Sequence, residues 1–271
     1  MSTVATTRPP RLSELRFFFQ PVIPLALGSE AWSEALVRWG LPDGTVRGPF
    51  DVLPHWLASP RQASFTRYTL ERAAAALALL PAAHVSVNLS PVQAIHPITV
   101  QTLDGLLPEV RSRLRIEITE QRVRDLNALA SSLTTVRELC EGVLLDDVTP
   151  TDLDLRSHEG VDVDGVKLDR SVVASLLTAK HGAEARRFVT AATERFAIVV
   201  AEGIEDPELC DMLRELGVSH AQGFGLARPR QELEGAWLDR RIAFSAPAPE
   251  GVRPPYGASV GTPRCRHDRG G

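Results

Sequence analysis

The sequence predicts an α/β fold, a closed (β/α)8 barrel of the TIM type with an antiparallel first strand. Three observations carry the prediction. Short apolar, β-rich runs alternate with longer segments of helical spacing, as a sheet covered by helices requires. The runs number eight, and the first two are separated only by Ala26–Glu30, too short for a parallel crossover and long enough for a hairpin. A polar residue interrupts the later part of nearly every run, where a barrel gathers its functional groups.

Taken in order, the expected strands are Phe17–Leu25, Ala31–Trp39, His84–Ser90, Leu114–Glu120, Gly142–Asp147, Asp164–Asp169, Ile198–Glu202 and Ser219–Gly225. The helix-length segments are Phe65–Leu80, Pro97–Val110, Leu126–Leu139, Ala183–Phe196, Pro207–Leu216 and Leu233–Phe244, several with Asp, Ser or Pro near their starts. Residues 1–16 read as a flexible N-terminal segment, residues 17–244 as the barrel, and residues 245–271 as a disordered tail crowded with Pro, Gly and Arg.

Composition narrows the function. With 271 residues, 44% hydrophobic and 24% charged, the chain can bury one sizeable core. A formal charge of -4 supplies no basic field for long nucleic acids, which argues against DNA as a partner. Cys140, Cys210 and Cys265 are an odd set without CxxC spacing, so neither a disulfide framework nor a structural zinc site is expected. No stretch has the length of a signal peptide core or a membrane span, and a soluble, cytoplasmic protein is the expectation, with no membrane contact.

A barrel strand is covered by helices outside and packed side chains inside, so a charge within it needs a reason. Glu34, Asn88, Glu117, Asp146, Lys167, Glu202 and Gln222 each interrupt a different expected strand near its C-terminal end. Such positions converge on one mouth of a barrel. With Asp147 the series holds five carboxylates, and two like charges about 4 Å apart repel by roughly 4 kcal/mol at an effective dielectric of 20. Two divalent cations and Lys167 would balance them, and oxygen ligands with one amide suit Mg2+ or Mn2+. A pair of such ions serves in-line attack on phosphorus, which makes phosphoester hydrolysis the expected reaction class. For any one of these residues a salt bridge or a capped loop would also account for it; the reading rests on the series. Cys265-Arg266-His267-Asp268 has ligand-type residues, but its Gly/Arg-rich setting favours a non-functional reading.

The same residues resemble a known family. Glu34-Ala35-Leu36-Val37-Arg38-Trp39 matches the motif that names the EAL phosphodiesterases. The match continues through Gln20-Pro21-Val22, Ser86-Val87-Asn88-Leu89-Ser90, Glu117-Ile118-Thr119-Glu120, Asp146-Asp147, Val166-Lys167-Leu168-Asp169-Arg170, Ala201-Glu202-Gly203-Ile204-Glu205, and Gln222-Gly223-Phe224 with Arg228-Pro229. The resemblance implies hydrolysis of cyclic di-GMP to linear pGpG with two Mg2+ or Mn2+ ions. It implies that Glu34, Asn88, Glu117 and Asp146 hold one cation, that Asp147 holds or bridges to the second, and that Glu202 supports the cluster. Lys167 would orient the attacking water and Gln222 would complete the set. Arg38 would contact a phosphate, Gln20 would belong to the substrate site, and Glu120 and Glu205 would support the adjoining loop. A homodimer and a protein partner supplying the regulatory input are further implied possibilities.

Two stretches depart from the family pattern. Where members carry Phe-Gly-x-Gly-Tyr-Ser-Ser after the paired aspartates, this chain reads Val148-Thr149-Pro150-Thr151-Asp152-Leu153-Asp154. Both glycines are replaced, and Pro150 biases Thr149 toward extended backbone. Phe50-Asp51-Val52-Leu53-Pro54-His55 also replaces the usual Phe-Ile-Pro-x-Ala-Glu. The first departure leaves other readings open beside an active phosphodiesterase: a catalytically impaired receptor for cyclic di-GMP, or a regulatory scaffold that no longer binds the nucleotide.

Overall fold

A computed structural model describes residues 9–57, 60–119, 125–150 and 162–231. Strands β1 (Leu15–Pro24) and β2 (Trp32–Gly40) form the expected hairpin, with Gln20 opposite Glu34 and Val22 opposite Trp32. The first strand starts two residues earlier than expected, because Leu15 still pairs with Trp39 and buries its side chain. A two-residue strand β3 (Val46–Arg47) turns back on the end of β2, and α1 (Pro49–Leu57) follows. The sequence reading contains neither.

After α2 (Gln62–Leu79) come β4 (Val85–Leu89), α3 (Pro91–Ile95), α4 (Pro97–Asp104), α5 (Pro108–Arg111) and β5 (Leu114–Ile118). The single helical segment expected over Pro97–Val110 is thus broken at Gly105–Leu107, ahead of Pro108, whose ring disfavours helix in the preceding residue. Next are α6 (Leu126–Glu138), β6 (Gly142–Val148), β7 (Gly165–Leu168), α7 (Arg170–Leu176), α8 (Gly182–Arg195), β8 (Ile198–Ala201), α9 (Leu209–Glu215) and β9 (His220–Ala221). The expected helix Leu233–Phe244 lies outside the described residues.

The strands run β1-β9-β8-β7-β6-β5-β4-β2, and β1 pairs with β2 to close the ring. The seven strands from β2 to β9 that make up the rest of that ring are parallel neighbours, while β1 is antiparallel to both β2 and β9. An antiparallel first strand in an eight-stranded closed barrel is therefore the observed architecture.

Why these segments are helices is visible in what they bury. On α2, Phe65, Thr69, Leu70, Ala73, Ala74 and Leu77 recur at helical spacing and face the sheet. Leu129, Leu133 and Val136 on α6, and Ala185, Phe188, Val189 and Ala192 on α8, do the same. Caps fix several starts. Ser90 makes a capping box with Gln93 after β4, Asp125 accepts from Ala128 N at 2.9 Å before α6, and Asp169 accepts from Ser171 N at 2.9 Å before α7. Among the described residues, no helix is long and apolar enough to cross a membrane.

Two large apolar clusters lie in contact with helices, one including β4, β5, α2 and α6 and the other β7, β8, α8 and α9. Inside the barrel, Val22, Trp32, Leu144 and Val200 form a separate plug. Each stands two residues from a polar interruption of its own strand, namely Gln20, Glu34, Asp146 and Glu202. Because side chains alternate along a strand, the plug and the polar set share the inner face in successive layers. The apolar layer is a dry floor under the polar one.

Candidate metal centre at the barrel mouth

The upper layer is built by strand register. Gln20 and Glu34 are paired neighbours, as are Asn88 and Glu117. Lys167, from β7, lies at the middle with its side chain 1% exposed. Its Nζ is 2.5 Å from Glu202 Oε1, 2.8 Å from Glu117 Oε2, 2.9 Å from Asp146 Oδ1 and 3.2 Å from Glu34 Oε2. Asn88 Nδ2 donates to Glu34 Oε1 at 2.5 Å, and Gln222 Nε2 donates to Glu34 Oε2 at 2.8 Å. Four carboxylates thus surround one ammonium group, and Asn88 and Gln222 join the cluster through Glu34, with Glu202 and Gln222 standing just past the ends of β8 and β9.

Asp147 needs separate explanation, because a neighbour of Asp146 on a regular strand points to the opposite face. The β6–β7 register shifts between Leu145 and Val148, and Asp147 takes a φ of 53°, in the left-handed region that non-glycine residues rarely adopt. That bulge turns two consecutive aspartates toward one place. Ligand atoms of Asp146, Asp147 and Glu202 lie within 4.8 Å of one another. A backbone cost of order 1–3 kcal/mol is tolerated here, as it commonly is at functional sites.

The charge balance of this layer is unusual. One buried lysine faces four carboxylates, with Asp147 nearby. Burial alone would lower the Lys167 pKa, but Glu117, Glu202, Glu34 and Asp146 outweigh it and hold the ammonium well above its ordinary value. Burial alone would raise Glu34, yet Lys167 and the hydrogen bonds from Asn88 and Gln222 keep it below the ordinary range. The remaining acids lack enough compensation. Glu117 and Glu202 are each pushed up to about 8, chiefly by burial. Asp146 is also raised by burial, and Asp147 by burial and by repulsion from Asp146.

The donor set fits divalent cations. Both oxygens of Glu117, Asp146 Oδ1 and Asn88 Oδ1 are buried without a hydrogen bond. Lys167 comes within ion-pair distance of Glu117 Oε2 and Asp146 Oδ1 but is misaligned for hydrogen bonding to either. Buried oxygens left so are costly, and an oxygen-seeking cation satisfies them while cancelling charge.

A cavity of about 360 Å3 opens over the layer. Its lining includes Gln20, Glu34, Asp146, Asp147, Lys167, Glu202, Glu205 and Gln222, which are sequence candidates, together with Arg170, Gly203, Gly223 and Phe224. Larger grooves exist elsewhere, but the chemistry is here. Gln20 is held by donation to Ala227 O at 3.2 Å. Asn88 and Glu117 sit behind the lining, reaching the site through Glu34 and Lys167. Arg38, four residues beyond Glu34 on β2, is half-buried, donates to Val37 O and does not line the cavity. Glu120 lies outside the described residues.

Two lining groups had no role in the sequence reading. Phe224 is 57% exposed, with the Arg228 guanidinium 4.8 Å from its ring centre. The signal available was a large aromatic directly after Gln222-Gly223. Arg170 presents a cation beside the acidic mouth, and its backbone is approached closely at Gly203, where an added Cβ would come within 2.4 Å of Arg170 Cβ. Gly203 also has a φ of 69°. Gly223 lies so near Ile204 that any side chain would strike its backbone, so the segments after β8 and β9 form one rigid lip.

Residues 5–229 match the EAL domain family. The chain belongs to the EAL domain family. Among curated relatives, the probable cyclic di-GMP phosphodiesterase PdeB of Escherichia coli is 28% identical over 238 residues, covering 83% of this chain and 44% of PdeB. The cyclic di-GMP phosphodiesterase NbdA of Pseudomonas aeruginosa is 26% identical over 229 residues, covering 81% of this chain and 29% of NbdA. The chain spans less than half the length of these relatives. Among solved structures, the PaMucR phosphodiesterase in complex with c-di-GMP aligns with a TM-score of 0.69 at 25% identity, over 80% of this chain and 92% of that one. The c-di-GMP complex of the Xanthomonas citri FimX EAL domain gives 0.70 at 20% identity, over 82% and 91% of the two chains, which supports the fold. EAL domains are metal-dependent, consistent with the oxygen-rich layer of this barrel.

Proposed function

We propose that this EAL domain hydrolyses cyclic di-GMP to linear pGpG with the help of Mg2+ or Mn2+. The observation that carries the reading is the fully buried Lys167 surrounded by Glu34, Glu117, Asp146 and Glu202, with oxygens of Glu117 and Asn88 left without hydrogen bonds. The phosphodiesterase names of the relatives supply the substrate.

Glu34, Asn88, Glu117 and Asp146 would hold one cation, and Asp147 with Glu202 would serve a second. When bound, such ions supply Lewis acidity at the phosphoryl oxygens and make water a stronger nucleophile. Lys167 remains protonated, so it acts as a fixed positive donor that orients oxygen atoms and stabilises developing negative charge. Glu202, at the edge of the cavity, can hold a proton at its carboxylate as the reaction proceeds. Gln222 keeps Glu34 aimed, Arg170 offers a charge partner for phosphate, and the exposed face of Phe224 can stack on guanine. Gln20 and Glu205 complete the rim of the cavity, and Arg38 stands beyond it on β2 as a further phosphate contact.

Incubation with cyclic di-GMP and either Mg2+ or Mn2+, followed by chromatography for pGpG, tests this directly. Metal-dependent appearance of pGpG is expected. A specific observation favours a second reading: Thr149 and Pro150 stand where family members carry a glycine-containing loop. Calorimetric binding of the nucleotide without turnover under both ions would select a receptor. Homodimer formation and a protein partner for input belong to this same proposal and are checked by light scattering and by affinity capture.

A further inference from the structure

We propose that Gln93 is a positioning residue of the cation site, one that sets the aim of Asn88 through the turn at Ser90; the inference rests on the reading of Asn88 as a cation ligand. Gln93 belongs to α3, the short helix that follows β4, and is 2% exposed. An apolar side chain of similar length would fill the same space and need no partners, so a buried amide here calls for a reason. The reason is a chain of hydrogen bonds that runs from α2 to the end of the strand carrying Asn88.

Both ends of the amide are bonded, and each link has one permitted direction. Ser90 N can only donate, and it lies 3.0 Å from Gln93 Oε1, so the amide oxygen must face the turn. Ser90 Oγ donates to the same oxygen at 3.0 Å and accepts from Gln93 N at 3.4 Å. At the other end, Gln93 Nε2 donates to Thr66 Oγ1 of α2 at 2.9 Å, and Thr66 points its own hydroxyl proton at Gln62 O, 3.0 Å away. Thr66 and Ser90 are buried as well. With no water to substitute for a lost partner, neither a rotated amide nor a slipped turn would satisfy this chain.

The segment so held is the one that presents Asn88. Asn88 stands two residues before Ser90 and has two tasks, since its Nδ2 donates to Glu34 Oε1 while its Oδ1 is left for a cation. Its side chain has only two rotatable bonds, so the amide aims where the backbone at the end of β4 sends it. Leu89 O accepts from Thr119 N at 3.0 Å, which ties the same segment to the strand of Glu117. Gln93 thus fixes, from α2, a turn whose rotation would swing Asn88 Oδ1 away from its ion. Groups that stand behind metal ligands in this way commonly set affinity by about 10- to 100-fold.

Calorimetric titration of the full chain with Mn2+, well below the melting point of every variant, tests the assignment. Gln93→Met keeps the bulk, removes the amide, and is expected to weaken Mn2+ binding by about tenfold. In an Asn88→Ala background the same change should add almost nothing, because a residue acting through Asn88 then has nothing left to aim. Ser132→Ala takes a different hydrogen bond from α3, at Ala94 O, and should lower the melting point while leaving Mn2+ affinity as it was. Thr66→Val severs the far link and should weaken Mn2+ binding in the same direction, so the assignment is still decided if Gln93→Met does not fold. Parent-like affinity in Gln93→Met, beside a weakened Asn88→Ala, would overturn the positioning role and leave the cation reading standing. An equal loss in both backgrounds would overturn it too, since Gln93 would then act elsewhere. If the unaltered chain binds no Mn2+, or Asn88→Ala binds it like the parent, Asn88 is no ligand and both readings fall.

Discussion

Replacement of Glu117 by Gln separates the cost of the acidic layer from its purpose. Glu117 is fully buried, its Oε1 accepts no hydrogen bond, and burial pushes its pKa up to about 8 against an ordinary 4.5 even though the Lys167 ammonium lies 2.8 Å from its Oε2. At pH 7 the unfolded chain carries this group ionised. The folded chain must protonate it, which costs about 1.4 kcal/mol per pH unit above 4.5, or roughly 3 kcal/mol in all. Glu117→Gln removes that penalty and keeps the shape. The new amide N–H has no partner waiting, which returns about 1–2 kcal/mol of the gain. A net stabilisation of about 1–2 kcal/mol is expected in the metal-free protein, or roughly 2–8 °C for a domain of this size. The cation response should move oppositely. A divalent ion present at a hundredfold excess over its dissociation constant stabilises the unaltered protein by about 2.7 kcal/mol, and the variant should lose most of that shift together with its turnover. Thermal melts in chelator and in Mn2+ measure both halves. A variant that melts below the parent in chelator, yet still gains stability from Mn2+, would refute the account of Glu117 as a cation ligand under electrostatic strain.

Three further outcomes follow from the same geometry. In chelator, stability should fall as pH rises from about 4.5 to about 8: Glu117 and Glu202 bind protons more tightly folded than unfolded, while the benefit from the raised Lys167 persists across this window and fades only near and above 10.5. Urea midpoints at pH 5 and pH 8 decide it, and a higher midpoint at pH 8 would contradict the charge balance. Asp147→Asn should reduce turnover by at least about tenfold while changing stability by less than about 1 kcal/mol, because asparagine tolerates left-handed backbone and Asp147 is exposed; unchanged kcat would remove Asp147 from the metal set. Phe224→Ala should weaken nucleotide binding by about 1–3 kcal/mol, the usual worth of a base on an aromatic platform, with the Mn2+-induced melting shift intact; unchanged affinity in calorimetry would place the base elsewhere.

The barrel and its polar layer were legible because both obey period-two logic. Glu34, Asn88, Glu117, Asp146, Lys167, Glu202 and Gln222 interrupt apolar strands, and an interrupted buried strand is a visible conflict in sequence. The short elements were less visible. The strand Val46–Arg47 and the helix Pro91–Ile95 span two and five residues, too few for a period to emerge, and the helix Pro49–Leu57 contains Pro54, which reads as a breaker. The break at Gly105–Leu107 depended on the placement of Pro108 within an otherwise helical pattern.

Asp147 shows where sequence logic fails for a reason that itself points to function. Two adjacent acids on a regular strand cannot both face a barrel mouth, so alternation alone would have sent Asp147 toward the helices. The structure resolves the conflict by breaking the β6–β7 register and accepting a positive φ at a residue with a Cβ. The result brings a fifth carboxylate toward four others, which electrostatics opposes. An arrangement that costs backbone energy and charge repulsion together is understandable when a cation arrives to offset both. The distortion at Asp147 and the unbonded oxygens of Glu117 are therefore two independent signs, one in the backbone and one in the side chains, of the same intended ligand.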